Sequence, residues 1–114
     1  TWKEHESSRT ALQEPICMAS LIHVKAKDNV LGKDILLFSN PNTTEGRHSM
    51  TIKASLDGGY TWLPENQLLI DSGWSWGYSC LTMIDEETVG ILYEGSVAHM
   101  TFQAISLKDI IREP

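Results

Sequence analysis

The sequence predicts an all-β fold of repeated antiparallel units, the kind of unit that forms consecutive blades of a β-propeller. Three observations carry this reading. Short apolar stretches rich in β-branched residues alternate with clusters of Gly, Pro, Asn and Asp, as strands alternate with turns. The stretches recur in a fixed order along the chain. Apart from Leu107–Ile111 at the end, no segment carries the apolar stripe of a helix.

Taken in order, strands are expected at Ile16–Lys25, Asp34–Ser39, Ser49–Ser55, Gln67–Asp71, Tyr78–Ile84, Thr88–Glu94 and His99–Ser106. Asn40-Pro41-Asn42 and Asp57-Gly58-Gly59 read as turns. Thr1-Trp2 returns as Thr61-Trp62, and Met18–Leu21 returns as Tyr78–Leu81. LLFSN at Leu36–Asn40 parallels ILYEG at Ile91–Gly95, and MTIKAS at Met50–Ser55 parallels MTFQAI at Met100–Ile105. A strand unit returning at this spacing is the mark of a bladed array. The expected division is the end of one blade in 1–15, a full blade in 16–73 and three strands of a last blade in 78–107. A three-stranded blade leaves an edge of unpaired backbone groups, so a strand from elsewhere should complete it.

Composition narrows the function. The chain has 114 residues, 41% of them hydrophobic and 21% charged, the proportions of an ordinary folded domain or a piece of one. A formal net charge of −6 leaves no basic surplus to track phosphates, which argues against nucleic-acid binding. No run is long enough for a membrane span. The chain opens mid-motif at Thr1-Trp2 and reads as part of a longer protein. Cys17 and Cys80 are too few and too far apart for a disulfide scaffold or a metal knuckle, and both lie in apolar runs, so buried free thiols are expected. His23, His48 and His99 lack the spacing of a metal set. No metal or cofactor is expected.

The segment SLDGGYTW, Ser55 to Trp62, gives each position a physical task. Asp57 accepts backbone N–H bonds across a turn. Gly58 and Gly59 permit positive φ. Trp62 folds back as an apolar plug. The pattern resembles the Asp-box of sialidases and related propellers, with Ser55, Asp57, Gly59 and Trp62 as its structural anchors.

Four segments extend the resemblance over essentially the whole chain: EPICMASL (Glu14–Leu21), GRHSMTIKASLDGGYTW (Gly46–Trp62), GYSCLTM (Gly77–Met83) and VGILYEG (Val89–Gly95). They are similar to the C-terminal part of bacterial exo-α-sialidases of glycoside hydrolase family 33. The resemblance implies the last blades of a six-bladed β-propeller, present here as a fragment. It also implies an enzyme that removes terminal sialic acid from glycans, glycoproteins or glycolipids.

Residue by residue, Arg47 takes the place of an arginine that grips the substrate carboxylate, chemistry suited to a guanidinium fork. Tyr78 takes the place of the nucleophile. A phenol is neutral until it attacks, so the substrate's own carboxylate does not repel it, and sialidases are known exceptions to the two-carboxylate scheme. A free phenol titrates near pH 10, so ionising it at neutral pH costs roughly 4 kcal/mol, and a base must share the proton. Glu94 takes the place of a glutamate that orients an arginine of the carboxylate-binding triad. Trp76, with Trp74, is a candidate wall for the sugar or its aglycone.

The family's other two triad arginines, its acid/base aspartate and the glutamate that activates the tyrosine have no counterpart here. Arg9 is not recruited, because it falls in a connection between outer strands. The isolated chain is therefore expected to be inactive, with the remaining blades supplying the missing groups. Secretion or periplasmic export is implied by where the substrates are found. The competing reading is a non-catalytic Asp-box propeller that binds carbohydrate or protein, since a fold alone does not fix an activity. Within the enzyme reading, transfer of the sialic acid shares its tyrosyl-glycoside intermediate with hydrolysis, and both stay open.

Overall fold

A computed structural model describes residues 2–97 and 99–112; Thr1, half of the Thr1-Trp2 repeat, lies outside them. Among the described residues, seven strands form two antiparallel sheets. The first holds β1 (Ser20–Val24), β2 (Ile35–Pro41), β3 (His48–Ser55) and β4 (Gln67–Trp74) in that order. The second holds β5 (Ser79–Met83), β6 (Thr88–Tyr93) and β7 (Thr101–Ser106), followed by one turn of helix, α1 (Leu107–Ile110). The strand repeats fall on matching strands: LLFSN lies on β2 and the first three residues of ILYEG end β6, while MTIKAS lies on β3 and all of MTFQAI but Met100 lies on β7.

Period-two alternation builds the core. Ile35 and Leu37 of β2 and Met50, Ile52 and Ala54 of β3 face the second sheet. Leu81, Val89, Ile91, Tyr93 and Ile105 answer from β5, β6 and β7, as inward positions of facing sheets do. Leu107, Ile110 and Ile111 close one end. Two polar ties cross between the sheets: the Ser39 and Ser79 hydroxyls meet at 2.8 Å, and the Leu81 N–H donates to the Ser20 hydroxyl at 3.0 Å.

β3 is buried on both faces because the segment 2–15 lies across the outer one. Lys53 donates its ammonium to the Ala11 carbonyl at 2.8 Å, and Asn40 donates to the Gln13 carbonyl at 2.8 Å. Burial pulls the Lys53 pKa below its ordinary value, since desolvation disfavours the charged form.

Two expectations are corrected. The first strand starts at Ser20, not Ile16, because Ile16 adopts φ +61° and breaks the extended run. The cysteines are free but not buried: Cys17 is partly covered, and Cys80 sits on the outward face of β5. That outward face is open and apolar, with Leu92, Phe102, Met100 and Ile84 all largely exposed.

Smaller shifts occur at strand ends. β4 runs on to Trp74, and β7 begins at Thr101. No helix among the described residues is long and apolar enough to cross a membrane.

Candidate active site

The site forms where the leading end of β3, the tail of β4 and the start of β5 meet the loop before β1. Arg47 precedes β3, at a point where the β3–β4 register slips between His48 and Met50 and Ser49 takes φ +62°. Such a bulge re-aims the side chains beside it. The Arg47 carbonyl accepts the Ser75 N–H at 2.8 Å, pinning its backbone to the end of β4.

The Arg47 side chain is held by two main-chain carbonyls. Nη1 donates to Trp76 at 2.8 Å and Nη2 donates to Ile16 at 2.9 Å. A guanidinium has five N–H donors, so three remain for a ligand. Its carbon lies over the Tyr78 ring, 5.7 Å from the centroid. Tyr78 is 47% exposed, so its phenol is reachable.

Glu94 meets Tyr78 through the backbone. Its Oε1 accepts the Tyr78 N–H at 2.8 Å, and its own N–H donates to the Tyr78 carbonyl at 3.0 Å. This closes the mouth of the β5–β6 pair and fixes where the phenol emerges. Among the described residues Glu94 forms no ion pair with Arg47; its carboxylate is used on Tyr78. A shallow cavity lined by Tyr78, Ser79, Cys80, Leu92, Glu94 and Met100 opens beside it.

Three packing features support these groups. Gly77 takes φ +94°, and a Cβ there would stand 2.9 Å from Cys17 Sγ, 3.0 Å from Pro41 Cγ and 3.2 Å from Arg47 Cδ. Asp71 accepts the Ser96 N–H at 2.8 Å and the Ser96 hydroxyl at 2.7 Å, binding β4 to the loop after Glu94. Burial works to raise the Asp71 pKa, but the Ser96 and Gly73 donors outweigh it and the carboxyl ends below its ordinary value. Trp74 leans on the His48 ring at 4.6 Å. Trp76 offers its carbonyl to Arg47 while its side chain stays 69% exposed.

Sequence reasoning missed Glu14. Its Oε2 accepts the N–H groups of Ile16 at 2.9 Å and Cys17 at 3.3 Å. A β-branched residue at positive φ is a genuine outlier, strained by on the order of 1–2 kcal/mol. The only signal was an acid two and three positions ahead of those donors.

The Ser55–Trp62 turn lies apart from this site. Asp57 accepts the Thr61 N–H at 2.8 Å, the Thr61 hydroxyl at 2.6 Å and the Ser55 hydroxyl at 2.8 Å. Gly58 and Gly59 have φ of +75° and +96°. Trp62 is buried, donates Nε1–H to the Gly59 carbonyl at 2.8 Å and meets Phe38 edge-on. His23, His48 and His99 gather no metal-ligating group among the described residues.

No family model matches the chain. A curated Bacteroides fragilis protein named sialidase is 76% identical over 112 residues, which is 98% of this chain and 21% of that protein. The solved Hadza microbial sialidase Hz136 superposes with a TM-score of 0.92 at 71% identity, covering 97% of this chain and 21% of that one. A leech intramolecular trans-sialidase aligns with a TM-score of 0.64 at 24% identity over 86% of this chain and 17% of its own. At that distance the likeness shows the fold alone. The chain thus spans about one fifth of the length of the relatives it matches, and its similarity to proteins named sialidase, at 76% and 71% identity, runs along nearly all of its own residues.

Proposed function

We propose that this segment is the C-terminal part of the catalytic β-propeller of a retaining exo-α-sialidase of glycoside hydrolase family 33. The observation that carries the reading is the meeting of a carbonyl-anchored guanidinium and a reachable phenol, the Arg47 guanidinium carbon lying 5.7 Å from the Tyr78 ring centroid. Sialic acid bears a carboxylate on its anomeric carbon, so an anion-binding fork beside a nucleophile matches the reacting centre.

In this mechanism Arg47 binds the carboxylate with its remaining N–H groups. The Tyr78 oxygen attacks the anomeric carbon as its proton passes to a base from another part of the protein. The bond to the aglycone oxygen breaks, and an acid from another blade protonates that oxygen. Water then attacks the tyrosyl-glycoside, releasing sialic acid with retained configuration and returning the phenol. Glu94 fixes the Tyr78 backbone and orients a triad arginine of the assembled site. Trp76 lies beside the bound sugar.

The Ser55–Trp62 turn is the scaffold Asp-box, and the sheets are blades of a six-bladed wheel. The isolated segment is inactive for lack of acid and base. Terminal sialic acids of glycoconjugates are the substrates, which favours an exported enzyme.

The test is Tyr78→Phe in the full-length protein, assayed on a fluorogenic sialoside. Turnover should fall by about 10³-fold or more, the scale of losing a nucleophile, with sialic-acid binding retained. Undiminished turnover sinks the assignment. Binding without turnover in the wild type favours a carbohydrate-binding propeller.

A further inference from the structure

Arg47 reaches its place through a neighbour that is itself held in a disfavoured shape. One of its two side-chain anchors is the Ile16 carbonyl, at 2.9 Å. The residue presenting that carbonyl sits at φ +61°, a region β-branched residues avoid. Ile16 is 83% exposed, so packing does not hold it there. What does hold it is Glu14, whose Oε2 takes the N–H groups of Ile16 and Cys17 at 2.9 and 3.3 Å. The second anchor, the Trp76 carbonyl, is followed by Gly77, where Cys17 Sγ, Pro41 and Arg47 press too close for a Cβ. Cys17, the second residue gripped by Glu14, thus crowds Gly77 from beside the arginine.

The geometry points to Glu14 as a positioning residue for carboxylate recognition, acting on Arg47 through the Ile16 peptide. This rests on the reading of Arg47 as the carboxylate-binding group. Glu14 touches no substrate. Its carboxylate stabilises a left-handed turn, the turn aims a carbonyl, and the carbonyl fixes one arm of the guanidinium fork. Without it Ile16 relaxes to extended backbone, its carbonyl swings away, and the fork loses an anchor. The Arg47 charge is kept while its orientation is lost, so substrate binding weakens more than the chemical step does.

The test uses the full-length enzyme and four variants: Glu14→Ala, Glu14→Gln, the double variant Glu14→Ala with Ile16→Gly, and Arg47→Ala for reference. Glu14→Ala should raise KM for a sialoside by about tenfold, the scale of one misplaced charge-assisted hydrogen bond, with kcat changed less. The preference for sialic acid over its uncharged methyl ester as an inhibitor should shrink in parallel. Glu14→Gln keeps an acceptor oxygen and should stay near wild type.

The decisive variant is the double one. Glycine takes positive φ freely, so Ile16→Gly should restore most of the lost KM without the carboxylate, a rescue no general stability role provides. An unchanged KM in Glu14→Ala, or a raised KM that Ile16→Gly fails to recover, overturns the inference. Should Glu14→Ala not fold, Glu14→Met, which keeps the length of the side chain but removes its acceptor oxygens, takes its place with the same two outcomes. If Arg47→Ala itself keeps a wild-type KM, the carboxylate reading falls and this inference with it. If Arg47→Ala is impaired while Glu14→Ala is not, only the inference falls.

Discussion

The Arg47 guanidinium carbon stands over the ring of Tyr78, 5.7 Å from its centroid, while two of its N–H groups are committed to the carbonyls of Ile16 and Trp76. An arginine spans two acceptors because its donors form a rigid plane, whereas a lysine offers one compact charge on a flexible stem. Arg47→Lys in the full-length enzyme is therefore expected to raise KM for a sialoside by roughly tenfold or more. Steady-state kinetics checks it. A lysine variant with the wild-type KM would mean that charge alone suffices and the fork is not used.

Gly77 tests the packing under that arginine. Its φ of +94° strains any side-chain-bearing residue, and a new Cβ also meets Cys17, Pro41 and Arg47 at 2.9–3.2 Å. Gly58 separates the two effects, since it has φ +75° with nothing within 4 Å of a Cβ. Gly58→Ala should cost about 1–2 kcal/mol, from backbone strain alone. Gly77→Ala should cost about 1–3 kcal/mol more, from overpacking, and should also raise KM. Urea midpoints measure the costs; equal midpoints would show that the crowding at Gly77 relaxes freely.

Parts of the structure that depend on near neighbours were legible in the sequence, and parts that depend on distant ones were not. The Asp57 turn closes on Thr61 four residues on, so its donors and acceptors stand side by side in the text. The ordered repeats landed on matching strands because strand patterning is local. The break at Ile16 was hidden, because Ile16 opens an apolar run that reads as strand. Its reason is an arginine thirty-one positions away and an acid whose reach only the fold reveals. The Ser39–Ser79 contact joins two sheets across forty positions and leaves no mark on either strand. The exposure of Cys80 misled for a related reason: an apolar strand is covered only on the faces that have something to meet. Arg47, Tyr78 and Glu94 were singled out by resemblance, since none stands out by spacing alone.

Asp57 sets a prediction in acid. The Thr61 hydroxyl and N–H, with help from Ser55 and Tyr60, lower its pKa to about 2. A carboxyl depressed in the folded state adds stability above its unfolded pKa of about 4, and loses that contribution as pH falls from there through the folded value. Thr61→Val removes the hydroxyl donor while keeping the N–H. The Asp57 pKa should move up toward the ordinary aspartate value of about 4, and the acid-unfolding midpoint should rise with it. Carboxyl carbon NMR titration reads the first and circular dichroism the second. An Asp57 that titrates normally in the wild type would contradict both.

The open face of the second sheet makes the propeller reading testable without any catalysis. Leu92, Phe102, Met100 and Ile84 leave between 43% and 57% of their surface exposed in this segment, and contiguous apolar area of that kind marks a contact surface. β7 adds an unpaired edge beside them. If another blade covers this face in the complete chain, Phe102 is a core residue there. Phe102→Ala in the full-length protein should then cost about 3–5 kcal/mol, as a buried phenylalanine does. Ile91→Ala, on the already buried side of the adjacent strand, sets the scale at about 2–5 kcal/mol. A solvent-facing Phe102 would instead shift stability by no more than about 0.5 kcal/mol. Denaturant midpoints of the two variants, taken side by side, distinguish a covered sheet from an open one.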